Sequence, residues 1–460
     1  MQPINDPVDI LLEAAQRIDA AMLPAKVLAF QRMRILDNLA CLAAGYDAAG
    51  TDAALALARQ WSGCDQAGVI GSNMRLAAPQ AAFVNAVRSR ALDYCDVVSP
   101  GWHPSSSDVP VALACAQLGG ASGRDILAAL AVGQDFAQRI NQAAQSNGFF
   151  YKGFDSNILG LFSGAVIAAR LLRLTPAECA HAVGLAFDFG IGTFQHYQDK
   201  SLAVRISQGL VARHAIEAAQ LAALGISGPR RVLNGENGFF NLYAPGAADL
   251  SKLTEELGVR FLGEGDTCFK RYPHCSILLA LTDAVLAARD ELLAMDPERC
   301  DVRLEMSPVM YMVCGARYVP TDTAQIDAQF SACYIAANAW LRGQATPREF
   351  SAEYACDPAV VNLAQRIQVE RVDNWERFDQ CRLTVSRLGC TPKIIEAAYG
   401  KGWPENPLEP ADLVVKVRQC FSQSASEPLR RNANDIIQHI EMLENAPSVA
   451  ALLSAVCPTI

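Results

Sequence analysis

The chain has 460 residues, 51% of them hydrophobic and only 7% aromatic, a length beyond the usual reach of one hydrophobic core and therefore pointing to two domains. With 39 basic against 48 acidic residues the net charge is −9, which argues against nucleic acid or an anionic membrane as the principal partner. A small anionic substrate stays compatible with that balance, because a pocket can be locally basic inside an acidic protein.

The N-terminal stretch MQPINDPVDILLEAAQRI has no basic region followed by an apolar core, so no signal peptide is expected. No apolar run reaches the roughly 18 to 20 residues of a membrane span. The 15 cysteines are scattered without a C-x-x-C pair, and Cys41, Cys115 and Cys333 sit in apolar, helix-like segments where cysteine serves as a small hydrophobe. A reducing, cytoplasmic setting is the expectation.

From the start to about residue 262 the chain reads as helix after helix. Asp6-Pro7 opens one, with Ile10, Leu11, Ala14, Ala15 and Ile18 on a face of helical period. Ser122 and Asp125 make a variant capping box ahead of ILAALAVGQDFAQRI, and Thr175-Pro176 with Glu178 makes the full form. Residues 158–174 are apolar nearly all round, which predicts an interior helix. Arg205 to Leu224 reads as a long helix closed by Gly225. After Cys300 the period changes. Val302, Leu304 and Met306 alternate with polar neighbours, VMYMV follows, and both read as strands. Ile367, Val369 and Val372 give a third strand and Leu383, Val385 and Leu388 a fourth, with a helix at 325–342 among them. From 408 onward the pattern is helical again. The predicted fold class is mainly α: a large helical domain built from residues 1–262 and 405–460, and a smaller α+β lid domain at 263–404.

Common catalytic signatures are missing: there is no G-x-G-x-x-G, P-loop, H-E-x-x-H or G-x-S-x-G. With six histidines and no spaced Cys/His set, no metal site is expected. Three polar clusters stand out. In ALDYCDVVSPGWHPSSSDVP (91–110), Asp93 and Asp96 fall three apart, so both can face one side. His103 precedes a proline, which favours an extended conformation, and Ser107 or Asp108 reads as the cap of a helix with Pro110 in its first turn. A histidine beside a helix N-terminus lies where backbone N–H groups favour an anion, and Ser105 is a binding candidate in the same stretch. The plainer reading is a loop histidine with capping serines. In CFKRYPHCS (268–276), Lys270 and Arg271 place two cations beside His274 at the domain junction, where ligands tend to bind; they form a carboxylate clamp or a solvated linker. QHYQDKSLAVRISQG (195–209) offers His196, Lys200 and Arg205, the first two more in keeping with a surface loop.

These segments, together and in order, resemble the MmgE/PrpD family. The family's "hALDyDD…HPsa…lP" stretch is similar to ALDYCD followed by HPSSSDVP. Its "fKpYPcC" junction resembles CFKRYPHCS, its "eAkFSlpY" helix resembles AQIDAQFSACYIAANAWLRG, and its ending resembles KGWPENPLEPADLVVKV. The resemblance implies a helical domain made from both chain ends with an α+β lid, a homodimer, no metal or organic cofactor, and chemistry on small polycarboxylic acids. Carried over residue by residue, it implies pocket roles for Asp93, His103, Lys270 and Arg205. The chain departs from the pattern elsewhere. The motif lysine and histidine around Arg205 fall on Val204 and Ser207, a threonine on Val97, and two histidines on Asp155 and Leu279. The junction histidine falls on Cys275, with His274 next door, and a pocket tyrosine falls near Ala316, with Tyr318 close enough to replace it.

Losing a lysine and two histidines removes cations that would hold a tricarboxylate; either His274, His196 or Lys200 takes over or the substrate carries less charge, and a changed substrate is favoured. The leading expectation is a lyase that abstracts a proton α to a carboxylate and expels water or CO2. His103 would be the base or acid, Asp93 its orienting partner, and Lys270 and Arg205 the carboxylate holders. An epimerase is the second reading, with Lys270, His274 or Tyr151 facing Asp93 and His103 across the substrate. A third is a non-catalytic small-acid binder or scaffold.

Overall fold

The computed structural model describes residues 6–99, 101–144, 149–190 and 192–458, with the Tyr151 side chain outside the described residues. The protein is mainly α-helical. Its first helix, Pro7–Arg17, is capped by the Asp6 side chain on the Val8 amide and has Pro7 at its first position. It buries Val8, Leu11, Leu12 and Ala15, while Ile10 is exposed, so the buried face is rotated from the one the sequence suggests. The two capping boxes form as expected: Ser122 and Asp125 bond reciprocally, as do Thr175 and Glu178.

Small residues let the central helices approach closely. Ile158–Leu171 is buried along its length except for Arg170. A Cβ added at Gly164 would lie 2.7 Å from Ala215 on the helix Ala203–Ala223, and one at Gly133 would lie 2.7 Å from the Ser163 carbonyl oxygen. These contacts leave no room for a methyl group, so glycine is required at both positions. Most helices of residues 7–254 share one apolar cluster with Pro410–Ser422 and Ala433–Glu441, so the C-terminal segment packs against the N-terminal helices.

A second apolar cluster gathers around a four-stranded sheet in the order Gln368–Arg371, Asp301–Met306, Cys381–Ser386, Lys393–Ala397. The first pair is parallel and the other two are antiparallel. Asp301–Met306 alternates as expected, with Val302, Leu304 and Met306 buried. VMYMV is not a strand. It lies in the helix Pro308–Cys314, started by the Ser307 side chain on the Met310 amide with proline at the first helical position. Five apolar residues in a row do not separate the two periods, and the Ser-Pro start signal decides for helix. Leu388 lies beyond its strand and is fully exposed. The 325–342 helix is broken at Phe330–Ser331 into Ala324–Gln329 and Ala332–Arg342. Among the described residues no helix is long and apolar enough to cross a membrane.

Between these parts runs a short antiparallel ribbon, Val97–Val98 with Thr267–Cys268, in which Val97 opposes Cys268. It brings the segment after Asp93 against the segment before Lys270.

Candidate active site

Arg90 ends the helix Ala78–Arg90, a position where a cation is favoured by the helix dipole. Three residues on, Asp93 has φ +49°, a left-handed conformation that costs energy in a non-glycine residue and is often kept at functional sites. The turn points the carboxylate back at Arg90 Nη1, with which it is ion-paired. Lys270, delivered by the ribbon, completes the cluster: Nζ lies 2.9 Å from Asp93 Oδ2 and donates to the Asp93 carbonyl at 2.7 Å. Burial opposes the Asp93 charge, but Arg90, Lys270 and His103 outweigh it and hold the carboxyl well below its ordinary value.

His103 is the N-cap of the helix Pro104–Gly119. The helix begins at Pro104, so Ser107 and Asp108 lie inside it and do not cap it, and Pro110 is internal. His103 Nδ1 meets the Asp96 carbonyl at 2.9 Å. A carbonyl can only accept, so Nδ1 carries the hydrogen and Nε2 keeps its lone pair. Nε2 is 3.9 Å from Asp93 Oδ1. Burial, with Arg90 and Lys270 nearby, pushes the imidazole well below its ordinary pKa, and Asp93 only partly counters them. The ring is therefore neutral at physiological pH. Its tautomer is fixed by the Asp96 backbone, whereas the sequence had suggested Asp93 for that task.

Asp93 and Asp96 do not share a face. Asp96 turns away to Arg34 Nη1 at 2.7 Å and to the Ser105 hydroxyl at 2.6 Å. Ser105 is thus spent on holding the start of its helix and does not line the cavity.

Arg90, Asp93, His103 and Lys270 all line one narrow cavity of about 60 Å³. Its walls are mostly apolar. Phe150, Phe194, Tyr197 and Phe330 form a chain of aromatic contacts, with successive ring centroids 4.8, 5.0 and 5.9 Å apart. Val309 and Val313 come from the helix Pro308–Cys314, and Phe378 packs edge-on to Trp403 at 4.9 Å. Val97 and Cys275 also face the cavity. Two polar groups here, the Arg90 guanidinium and the Tyr197 hydroxyl, are buried and interact with each other, although Nε and Nη2 of Arg90 and the Tyr197 oxygen make no well-aligned hydrogen bond among the described residues. Burial, then the neighbouring Asp155, raises the Tyr197 phenol above its ordinary value, while Arg90 pulls it down.

The other expected site residues lie elsewhere. His274 is buried with Nδ1 on the Cys275 carbonyl and Nε2 at Thr282 Oγ1, both at 3.0 Å, so neither nitrogen is free; burial lowers its pKa to about 4. Arg205 is buried but turned to the Ala49 carbonyl at 2.6 Å and Gln325 Oε1 at 2.7 Å. It lines a separate depression with Leu202 and Arg348. Arg271 is half-exposed and faces Asp283 at 3.6 Å. Tyr318 is buried and donates to the Ala355 carbonyl at 2.8 Å. Tyr151 falls outside the described side chains. Of the departures, Ser207 bonds with Asn157, which in turn bonds Asp155, and Val204 and Leu279 are core residues.

The sequence reading missed Arg90 and the aromatic wall. The spacing of Arg90 three residues before Asp93 was the available signal for the first. Nothing local marks the wall, whose members are spread from residue 150 to residue 403.

Residues 10–250 match the MmgE/PrpD N-terminal domain and residues 272–442 the MmgE/PrpD C-terminal domain. The cis-aconitate decarboxylase of Homo sapiens is 28% identical over 405 residues, covering 84% of this chain and 81% of that protein. A cis-aconitate decarboxylase of Aspergillus terreus is 22% identical, covering 95% of this chain and 93% of its own length. A cis-aconitate decarboxylase-like protein of Aspergillus oryzae is 26% identical, with 94% of both chains covered. With matches to both family domains across most of its length, this chain belongs to the MmgE/PrpD family.

Proposed function

We propose that this protein is a lyase acting on a small carboxylic acid, with His103 Nε2 as the base that removes the proton α to the carboxylate. The observation that carries the reading is the convergence of a neutral imidazole, its Nε2 lone pair unengaged, with two cations and a carboxylate in one cavity. The substrate carboxylate is assigned to the Nε and Nη2 edge of Arg90, a planar fork suited to it, where it would replace the Tyr197 hydroxyl as the guanidinium's neighbour. As Nε2 takes the α proton, the C–H electron pair moves into the carboxylate, and Lys270 and Arg90 stabilise that enediolate-like charge. Asp93, 3.9 Å away, stabilises the imidazolium that forms. The electrons then return to make the C=C bond as a β-hydroxyl leaves, and the imidazolium proton converts it to water.

The fixed tautomer favours this order of events. Nε2 starts without a proton, so the site is set to accept one first, as an elimination of water requires. Direct loss of CO2 would instead need a proton donor for the carbon left behind, a role that would fall to Lys270 or the Tyr197 phenol and not to His103. The names of the relatives point to decarboxylation of cis-aconitate in those proteins; the tautomer of His103, a base before it is an acid, supports dehydration here.

The test uses a panel of 3-hydroxy acids and their 2-enoate partners bearing one to three carboxylates, each incubated with the protein in heavy water. Deuterium should appear at the α carbon of at least one of them and vanish in His103→Ala, whose unfolding curve should stay cooperative. Equal incorporation in His103→Ala removes the base assignment.

A further inference from the structure

The charges in the cavity limit what it can hold. Among the described residues the ionised groups lining it are Arg90, Lys270 and Asp93, with His103 neutral. Asp93 cancels one cation, leaving a single positive charge. The donors are also localised, because Lys270 is already engaged by Asp93 and the Nε and Nη2 edge of Arg90, which makes no well-aligned bond, has only the neutral Tyr197 hydroxyl as a neighbour. The rest of the lining is mainly apolar, with Phe194, Phe330, Phe378, Trp403, Val309 and Val313 among it. The neutral polar groups on it are Ser99, Ser276 and the Tyr197 hydroxyl, and Val97 and Cys275 add no charge.

We infer that the acid taken by this site carries one carboxylate on an apolar body. This deepens the lyase reading and rests on it for the placing of the carboxylate at Arg90. One carboxylate neutralises the excess charge of the corner. A second or third would be pushed against aromatic and branched aliphatic side chains with no cation to meet it, and a buried unpaired charge is strongly disfavoured. An alkyl or aryl body gains from the same wall by leaving water. The two valines, one turn apart on the helix Pro308–Cys314, are lining positions at which a cation could be introduced to meet a second carboxylate.

Titration calorimetry of the full chain with hexanoate, adipate and tricarballylate tests this, since the first two share a six-carbon chain and differ by one carboxylate. Hexanoate should bind at least tenfold more tightly than adipate, and tricarballylate more weakly still. Val313→Lys should narrow or invert the ratio of hexanoate to adipate. Adipate or tricarballylate binding as tightly as hexanoate, or no binding of hexanoate, overturns the inference. Its failure is separable from that of the lyase reading. A polycarboxylate that exchanges its α proton sinks the one-carboxylate inference and leaves His103 as base. A clear hexanoate preference without α-exchange in any acid of the heavy-water panel does the reverse.

Discussion

Replacing Asp93 by asparagine is the sharpest probe of the cluster, because it keeps the shape and deletes only the charge. In the native chain the carboxylate is buried, ion-paired with Arg90 and 2.9 Å from Lys270 Nζ. Deleting it leaves two cations facing each other without a counter-charge, the situation for which loss of one partner typically costs about 3–5 kcal/mol. Urea unfolding at pH 7 should show Asp93→Asn less stable by that order. The pH dependence has a definite sign. The folded-state pKa of Asp93 lies below its unfolded value, so its contribution is complete above the ordinary carboxyl value, about 3.9. It is lost only as the pH falls below that value toward the folded pKa. The gap between native and variant should therefore be flat from pH 5 to 8 and narrow only in more acidic solution. Asp93→Asn combined with Lys270→Met should recover part of the loss, since one of the two stranded cations is then gone. A gap under about 1 kcal/mol at pH 7, against the 3–5 expected, refutes the picture of one carboxylate neutralising a buried cationic pair. So does a gap that closes near pH 6.

Three further outcomes follow from other parts of the molecule. Asp108 is buried, with the Ser163 hydroxyl on its Oδ1 at 2.7 Å, and burial lifts its pKa to about 7. A carboxyl raised on folding costs stability as the pH climbs from its unfolded value to its folded one, so Asp108→Asn should remove a loss between about pH 4 and 7 in urea titrations. A Cβ at Gly123 would fall 1.7 Å from the Leu443 carbonyl oxygen. Gly123→Ala should therefore destabilise the chain by about 1–3 kcal/mol in thermal or urea unfolding, as overpacking does. Asp96→Asn should strand Arg34, its partner at 2.7 Å, and cost about 3–5 kcal/mol on the same scale.

The parts of the fold legible from the sequence are those set by short-range physics. The Thr175 and Ser122 caps, the all-apolar helix at 158–171 and the alternation of 301–306 each carry their signal within one turn or one strand. VMYMV misled because a short apolar run has no period, although Ser307-Pro308 just ahead of it was a helix start. The site divides in the same way. Asp93 and His103 lie ten residues apart in one unusual stretch, and Lys270 sits in another. Arg205, His274, Arg271 and Tyr318 are equally polar in the sequence. What separates them is a partner beyond the local motif, such as the distant Ala49 carbonyl for Arg205 and Ala355 carbonyl for Tyr318, or Thr282 on the following helix for His274. No spacing rule foretells those partners.

The two-stranded ribbon at Val97 and Cys268 divides the labour of the cavity. It fastens the lysine to the same framework that carries the arginine, the aspartate and the imidazole, whereas Val309, Val313, Phe330, Phe378 and Trp403 supply much of the apolar lining. Proton-handling geometry and ligand shape are thus written on separable stretches of chain. Substitutions among Val309, Val313, Phe330, Phe378 and Trp403 can retune which molecule is admitted while the reacting groups keep their distances.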